Sequence, residues 1–324
     1  MIRAYAFNGD ADGLCALQQL RLAGEPAEER DAVLVSGVKR DIALVDRVKG
    51  GPGDLCTALD ISFDMNRSAV LALLAAGASV RYFDHHFAGE VPQHSNLDVH
   101  IDPSPTLCTS LIVDEYLGGR FRAWAVVGAF GDSLVDEGRA TAQAAGLNPA
   151  DTDRLRQMGL LVNYNAYGES VADLHVPPVE LAQEMLPFTN PLDFAATSPS
   201  FRCLADGFHE DMDLAKQIKP MCQTSGAILF LLPDAPWARR ASGTLANDLA
   251  KTYASSAVAI VSHKKVGGYM VSVRVPRDSA VSAEAFCRRF PTGGGRRTAA
   301  GINHLPSTDL DTFAAAFEEQ FRSD

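Results

Sequence analysis

The sequence predicts an α/β protein of two domains, the first built on a mostly parallel sheet flanked by helices and the second a smaller α/β unit. Three observations lead there. Short apolar segments of strand length alternate with helix-length segments through the first half, the pattern of a sheet covered on both faces. A similar alternation resumes after a stretch rich in proline and acid around residues 191–225. At 324 residues, 47% apolar and 21% charged, the chain is long enough to bury two cores. The expected division is therefore a first domain over 1–190, a connection over 191–225 and a second domain over 226–324.

Composition narrows the function classes. The formal charge of −11 argues against a protein that grips long duplex DNA through a broad basic face, because that mode depends on neutralising phosphates. A short anionic substrate held by metals and a few local arginines is compatible with it. No long apolar signal region follows Met1-Ile2-Arg3, and no uninterrupted apolar run of about 18 residues occurs, so the expectation is a soluble cytoplasmic protein with no membrane partner. The six cysteines, Cys15, Cys56, Cys108, Cys203, Cys222 and Cys287, are scattered, mostly within apolar runs and without a C-x-x-C pair. They read as small core residues in a reducing compartment.

Taken in order, Arg3 to Phe7 predicts a first strand and Asn8-Gly9-Asp10-Ala11-Asp12-Gly13 a turn. Leu14, Leu17, Leu20 and Leu22 then recur at helical spacing. The two acids of the D-x-D turn lie two residues apart, so each could face a different cation. A helix cap accounts for one of them and leaves the other. An EF-hand is excluded because the later ligands and the terminal glutamate are missing.

A second strand is expected at Ala32 to Val35, with a helix after it through Ile42, Leu44, Val45 and Val48. Leu55 to Leu59 predicts a third strand closed by Asp60, and a helix from about Asn66 runs through Leu74 to a stop at Gly77. The strand around Val80, Tyr82 and Phe83 ends in Asp84-His85-His86. Alone, that pair of histidines is as easily a surface turn. Placed at the carboxyl end of a strand, where open α/β sheets bind ligands, beside other strands that end in aspartate, it points to a site.

Arg122 to Phe130 predicts a buried helix with Gly131-Asp132-Ser133 at its end, where Asp132 could cap the next segment or join the other acids. Asp10, Asp12, Asp60, His85 and Asp132 make an oxygen-rich set with an imidazole. Such a mixture suits Mn²⁺ or Mg²⁺ better than a thiolate-preferring metal. Between Pro103 and Leu117 an apolar-faced helix carries Thr109 and Ser110 near its start, as caps or phosphate contacts. Leu160 to Gly168 combines aromatics and amides after a helix, in the core or against a base.

The second half predicts strands at Ala227 to Leu232, Ala257 to Ser262 and Tyr269 to Val275, with a helix from Gly243 to Tyr253. A further helix is expected near Asp206 to Ile218. Arg274 is polar among apolar neighbours on a half-exposed strand. Gly293, Gly294 and Gly295 read as turn chemistry whose backbone N–H groups could cradle an anion. Arg296 and Arg297 follow, with His304 beyond them after a strand.

With these motifs in order, the sequence resembles the DHH phosphoesterase superfamily with a DHHA1-type second domain, in particular its small RecJ-like and nanoRNase-like members. The resemblance rests on Asp10-Ala11-Asp12-Gly13, the strand-end Asp60, Asp84-His85-His86, Gly131-Asp132 and the loop from Gly293 to Gly301. It implies a DHH domain and a DHHA1 domain with the active site in a cleft between them. It also implies two cations, Mn²⁺ with Mg²⁺ as the substitute. Asp10 and Asp60 would hold one, and Asp12, Asp60, His85 and Asp132 the other, with Asp60 bridging. Catalysis would fall to Asp60, to His86 facing the scissile phosphate, and to Asp84 orienting the histidines. Substrate would be held by Arg274, Gly293, Gly294, Gly295, Arg296, Arg297 and His304. In many members a histidine precedes the D-x-D pair by four residues; here that position is Ala6.

The implied chemistry is in-line hydrolysis by water activated between cations about 3.5–4 Å apart. No G-x-S-x-G elbow suggests a covalent nucleophile. The expected enzyme is a phosphodiesterase acting on short oligonucleotides, on dinucleotides such as pGpG or pApA, or on phosphoadenosine phosphate, and compatible with a homodimer. The alternatives are a phosphatase for polyphosphate or pyrophosphate and a catalytically silent nucleotide-binding regulator.

Overall fold

Ala4 and Ala6 alternate with Tyr5 and Phe7 along the first strand, and all four are buried. A strand covered on both faces belongs in a sheet with helices on each side. The computed structural model describes residues 2–322 and forms one unit up to Gly207 and another from Phe208. In the first unit, β1 (Arg3–Phe7), α1 (Ala11–Ala23), α2 (Pro26–Arg30), β2 (Val33–Ser36), β3 (Leu55–Leu59), α3 (Phe63–Ala75), β4 (Ser79–Asp84) and β5 (Leu97–Ile101) follow in order. Next come α4 (Thr109–Tyr116), α5 (Arg122–Gly131), α6 (Val135–Ala144), α7 (Pro149–Asn165), α8 (Pro178–Met185) and α9 (Pro191–Thr197), and α10 (Pro199–Lys216) crosses into the second unit.

The five strands pair in the order β2-β1-β3-β4-β5, and every pairing is parallel. All carboxyl ends therefore lie on one edge. The connections diverge on either side of β1, so the crevice of this topology opens beyond the ends of β1 and β3. Tyr5, Phe7, Leu59 and Phe83 pack with Leu14, Trp124, Val127 and Met158 on one face. Ala6, Ala58, Val80 and Tyr82 pack with Val70, Leu73 and Leu74 on the other.

The second unit adds β6 (Cys222–Gln223), β7 (Ala227–Leu231), α11 (Pro236–Thr252), β8 (Ala257–His263), β9 (Tyr269–Arg274), α12 (Ala283–Cys287), β10 (Gly293–Gly295), β11 (Ala299–Leu305) and α13 (Leu310–Phe321). Its sheet runs β10-β11-β9-β8-β7-β6, antiparallel except between β7 and β8. Phe286, Phe313 and Phe317 fill one side, and the guanidinium of Arg240 forks onto buried Asp211 at 2.7 and 2.8 Å on the other.

Several expectations need correction. No helix spans 42–48; only a 3-10 turn, Val45–Arg47, forms there. The amide of Asn66 takes the helix's place, accepting from the Val45 N–H at 3.2 Å and donating to the Ile42 carbonyl at 2.7 Å, a side-chain substitute for backbone bonds. The helix expected near Asp206 to Ile218 begins earlier, as α10 from Pro199, and α9 precedes it. Gly293 to Gly295 form an edge strand rather than a turn, set against Ile302, Gly301 and Ala300 of β11. His304 lies within β11, at a register irregularity, rather than after it. Cys15, Cys56, Cys108 and Cys287 are buried as expected, but Cys203 is exposed. Among the described residues no helix is long and apolar enough to cross a membrane.

Candidate metal centre

The parallel sheet delivers side chains to its carboxyl edge one strand at a time. After β1, Asp10 caps α1, its Oδ1 accepting the N–H groups of Asp12 and Gly13 at 3.0 and 3.1 Å. Asp12 points elsewhere. Its Oδ2 accepts the Thr109 N–H at 2.7 Å, and its Oδ1 accepts the Ser110 N–H and hydroxyl at 2.7 and 2.5 Å. The start of α4 thus grips the second acid of the D-x-D turn through both oxygens, a use of orphan helix N–H groups that favours a negative charge. Thr109 and Ser110 are neither caps nor free hydroxyls: the Thr109 hydroxyl donates to Asp60 Oδ1 at 3.1 Å.

Asp60 follows β3 with a φ of +57°, a left-handed conformation that costs a non-glycine residue energy and persists where surrounding structure enforces it. The Asp60 N–H donates to the Phe83 carbonyl at 3.0 Å, anchoring the turn to β4. Asp84 ends β4, fully buried, and its Oδ1 accepts the His85 N–H at 2.9 Å and pairs with His86 Nδ1 at 2.6 Å. His85 Nδ1 meets the Leu107 carbonyl at 3.2 Å. A carbonyl can only accept, so that contact places the proton on Nδ1 and leaves Nε2 as a lone-pair donor. His85 Nε2 lies 3.4 Å from Asp60 Oδ1 and 3.8 Å from Asp132 Oδ2. Ligand atoms of Asp60, His85 and His86 also lie within 4.8 Å of one another.

Electrostatics distinguishes these acids. Burial first, then the neighbouring charges of Asp10 and Asp12, push the Asp60 carboxyl well above the carboxylate range. Burial and the charge of Asp12 raise Asp132 to about 6. Crowded buried carboxylates of this kind are short of positive charge, and a divalent cation would supply it. The donor set of two carboxylates and one oriented imidazole fits a hard or borderline cation such as Mn²⁺. Asp10 differs. Burial opposes its charge, but the Lys39 ammonium outweighs burial and holds its carboxyl below the usual value.

Lys39 is the residue that sequence reasoning missed. Its Nζ lies 2.5 Å from Asp10 Oδ2, 3.1 Å from Asn163 Oδ1 and 3.8 Å from Asp132 Oδ1. The signal was present in the sequence: Lys39 stands three residues beyond β2, on the same strand-end edge as the acids. Acids and histidines mark such an edge as a metal site, whereas a lone lysine there looks like any solvated charge. Gly9 makes the approach possible, since a Cβ there would lie 2.1 Å from the Gly37 carbonyl. The Lys39 N–H is tied to the Ala166 carbonyl at 3.0 Å.

No curated protein matches the sequence significantly. Residues 223–323 match the DHHA1 domain. Among solved structures, an exonuclease RecJ bound to manganese superposes with a TM-score of 0.61 at 19% identity, over 98% of this chain and 89% of that one. RecJ of Thermus thermophilus in complex with Mn²⁺ gives 0.63 at 20% identity, over 98% of this chain and 51% of that one. The chain therefore spans about half the length of the Thermus protein. A pGpG-specific phosphodiesterase, PggH of Vibrio cholerae, gives 0.50 at 14% identity, over 99% and 98%. Residues 223–323 are thus a DHHA1 domain, and the chain shares the fold of these structures.

Within its DHHA1 domain the expected substrate residues fall near one another on one sheet. Arg274 is paired in register with Ala299, and the Arg296 N–H donates to the Ala299 carbonyl at 2.8 Å, which puts Arg274 beside the Arg296-Arg297 turn. The Arg274 guanidinium is held by Asn247 at 3.0 Å, and Arg297 donates to the Ser279 carbonyl at 3.1 Å. Arg296 is exposed. The Gly293 N–H is spent on the Phe290 carbonyl at 3.1 Å, so this glycine offers no donor to an anion. His304 is exposed, and its N–H is committed to the Thr292 hydroxyl at 2.8 Å.

Proposed function

We propose that this DHHA1-domain protein is a Mn²⁺-dependent phosphoesterase that hydrolyses short oligonucleotides or dinucleotides. The observation that carries the proposal is the meeting of His85 Nε2 with Asp60 and Asp132, at 3.4 and 3.8 Å, beside a second histidine backed by a buried aspartate. Mn²⁺ is supported by the donor set and by the manganese in the RecJ structures that share this fold. Bound there, a divalent cation supplies Lewis-acid polarisation of a phosphoryl oxygen and lowers the pKa of water.

The chain's own residues supply the rest. The Leu107 carbonyl keeps His85 in one tautomer, and Thr109 orients Asp60. The hydrogen bond to Asp84 raises the His86 pKa, so His86 carries a proton at Nε2 to higher pH than a free histidine. That places it as proton donor to the departing oxygen of a phosphodiester. The partner is a short phosphorylated chain: the net charge of −11 disfavours long duplex DNA, and Arg274 on β9, with Arg296 and Arg297 in the turn before β11, offers guanidinium groups of the kind suited to phosphate.

The test is a substrate panel with Mn²⁺: pAp, pGpG, RNA of two to seven nucleotides, a long single strand and polyphosphate. Each is run beside an Asp60→Ala variant. Dinucleotides should be cut fastest, and the variant should lose at least about a hundredfold. Equal rates in the variant would defeat the mechanism. Preference for polyphosphate would move the substrate assignment only, and nucleotide binding without turnover would make the protein a regulator.

A further inference from the structure

The Lys39 ammonium occupies ground that a second cation would need. Both carboxylate oxygens of Asp10 are already engaged: Oδ1 accepts the N–H groups of Asp12 and Gly13, and Oδ2 accepts from Lys39 Nζ at 2.5 Å. Ala6, four residues before Asp10, offers only a buried methyl. Asp12 is likewise engaged through both oxygens by the start of α4. What remains open to a divalent ion is the Asp60, His85 and Asp132 side of the cluster. Lys39 faces that side as well, 3.8 Å from Asp132 Oδ1.

We infer that Lys39 is a built-in replacement for the second divalent cation, so that each chain binds a single Mn²⁺ with an ammonium beside it as the other positive charge. The inference rests on the metal-dependent reading above. An ammonium has three N–H donors. Asp10 and Asn163 take two of them at 2.5 and 3.1 Å, and the third is left for Asp132 or for a phosphate oxygen of the substrate. The backbone of Lys39, bonded to Ala166, holds the stem in place.

The experiment measures stoichiometry rather than rate. Metal-free full-length protein is titrated with MnCl₂ by calorimetry, and the bound ion is examined by electron paramagnetic resonance. Wild type, Lys39→Ala, Lys39→Met, Lys39→Arg and Asp60→Ala are compared, with circular dichroism as the check on folding. Wild type and Lys39→Arg should bind one ion per chain with the spectrum of an isolated Mn²⁺. Removing the charge in Lys39→Ala or Lys39→Met should open a second, weaker site and bring in the broadened spectrum of a spin-coupled pair. Two ions in wild type would overturn the inference while leaving the metal-dependent function standing. One ion in both uncharged variants would overturn it too. Absence of binding in wild type at millimolar Mn²⁺ would remove both the inference and the function on which it rests.

Discussion

Mn²⁺ affinity should fall as pH is lowered through 6, because a carboxyl that must lose its proton to bind metal is held protonated by its surroundings. Asp132 is raised to about 6 by burial and by the charge of Asp12. About a tenth of it is ionised at pH 5 and about nine-tenths at pH 7, so this group alone weakens binding about tenfold between them, roughly 1.4 kcal/mol. Asp60, raised further still by burial and by Asp10 and Asp12, acts in the same direction. In the metal-free protein the sign reverses. The folded state holds the Asp132 proton more tightly than the unfolded chain, so that stabilisation is complete below the ordinary value of 3.8 and is lost as pH climbs through about 6. Calorimetric titration with Mn²⁺ at pH 5, 6 and 7 measures the first effect. Thermal melts with and without Mn²⁺ measure the second, and the extra stabilisation by metal should be about 3–6 °C larger at pH 7 than at pH 5. A dissociation constant unchanged across that range would refute the reasoning. So would an Asp132→Asn variant that keeps both its affinity and the full pH dependence.

Three further outcomes follow from the packing around the site and in the second unit. Gly128→Ala would place a Cβ 2.0 Å from the Ser110 hydroxyl. It should lower stability by about 1–3 kcal/mol in urea unfolding and, by displacing Ser110 from Asp12, weaken Mn²⁺ binding in the same preparation. Asp84→Asn keeps the shape of the side chain but removes the charge that raises the His86 pKa. The His86 titration followed by nuclear magnetic resonance should move to lower pH, and the alkaline limb of the rate profile should move with it. Arg240→Ala would remove the guanidinium from buried Asp211, which it now pairs at 2.7 and 2.8 Å. A loss of about 3–5 kcal/mol is expected, read in the unfolding of the second unit, with Mn²⁺ stoichiometry unchanged.

Much of the site was legible because strand ends are legible. Asp10, Asp60 and Asp84 each close a short apolar run, and a parallel sheet brings such ends to one edge whatever the loops do. Elements without that regularity were not: β5, which buries no residue fully, and the edge strand at Gly293 carry no clean alternation. The helix expected at 42–48 failed because Asn66, distant in sequence, supplies the hydrogen bonds that a helix would have made internally.

By itself the sequence determined the class of fold and which acids and histidines end its strands, since these depend on local periodicity and on which residue types end each run. Only the tertiary structure decided what each of them does. Asp12 turns to the start of α4, His85 turns its Nε2 toward Asp60 and Asp132, and Asp10 meets Lys39. Those partners come from strands and helices far apart in the chain. The direction of a carboxylate, unlike its position at a strand end, is set by whichever donor the packing brings within 3 Å or so.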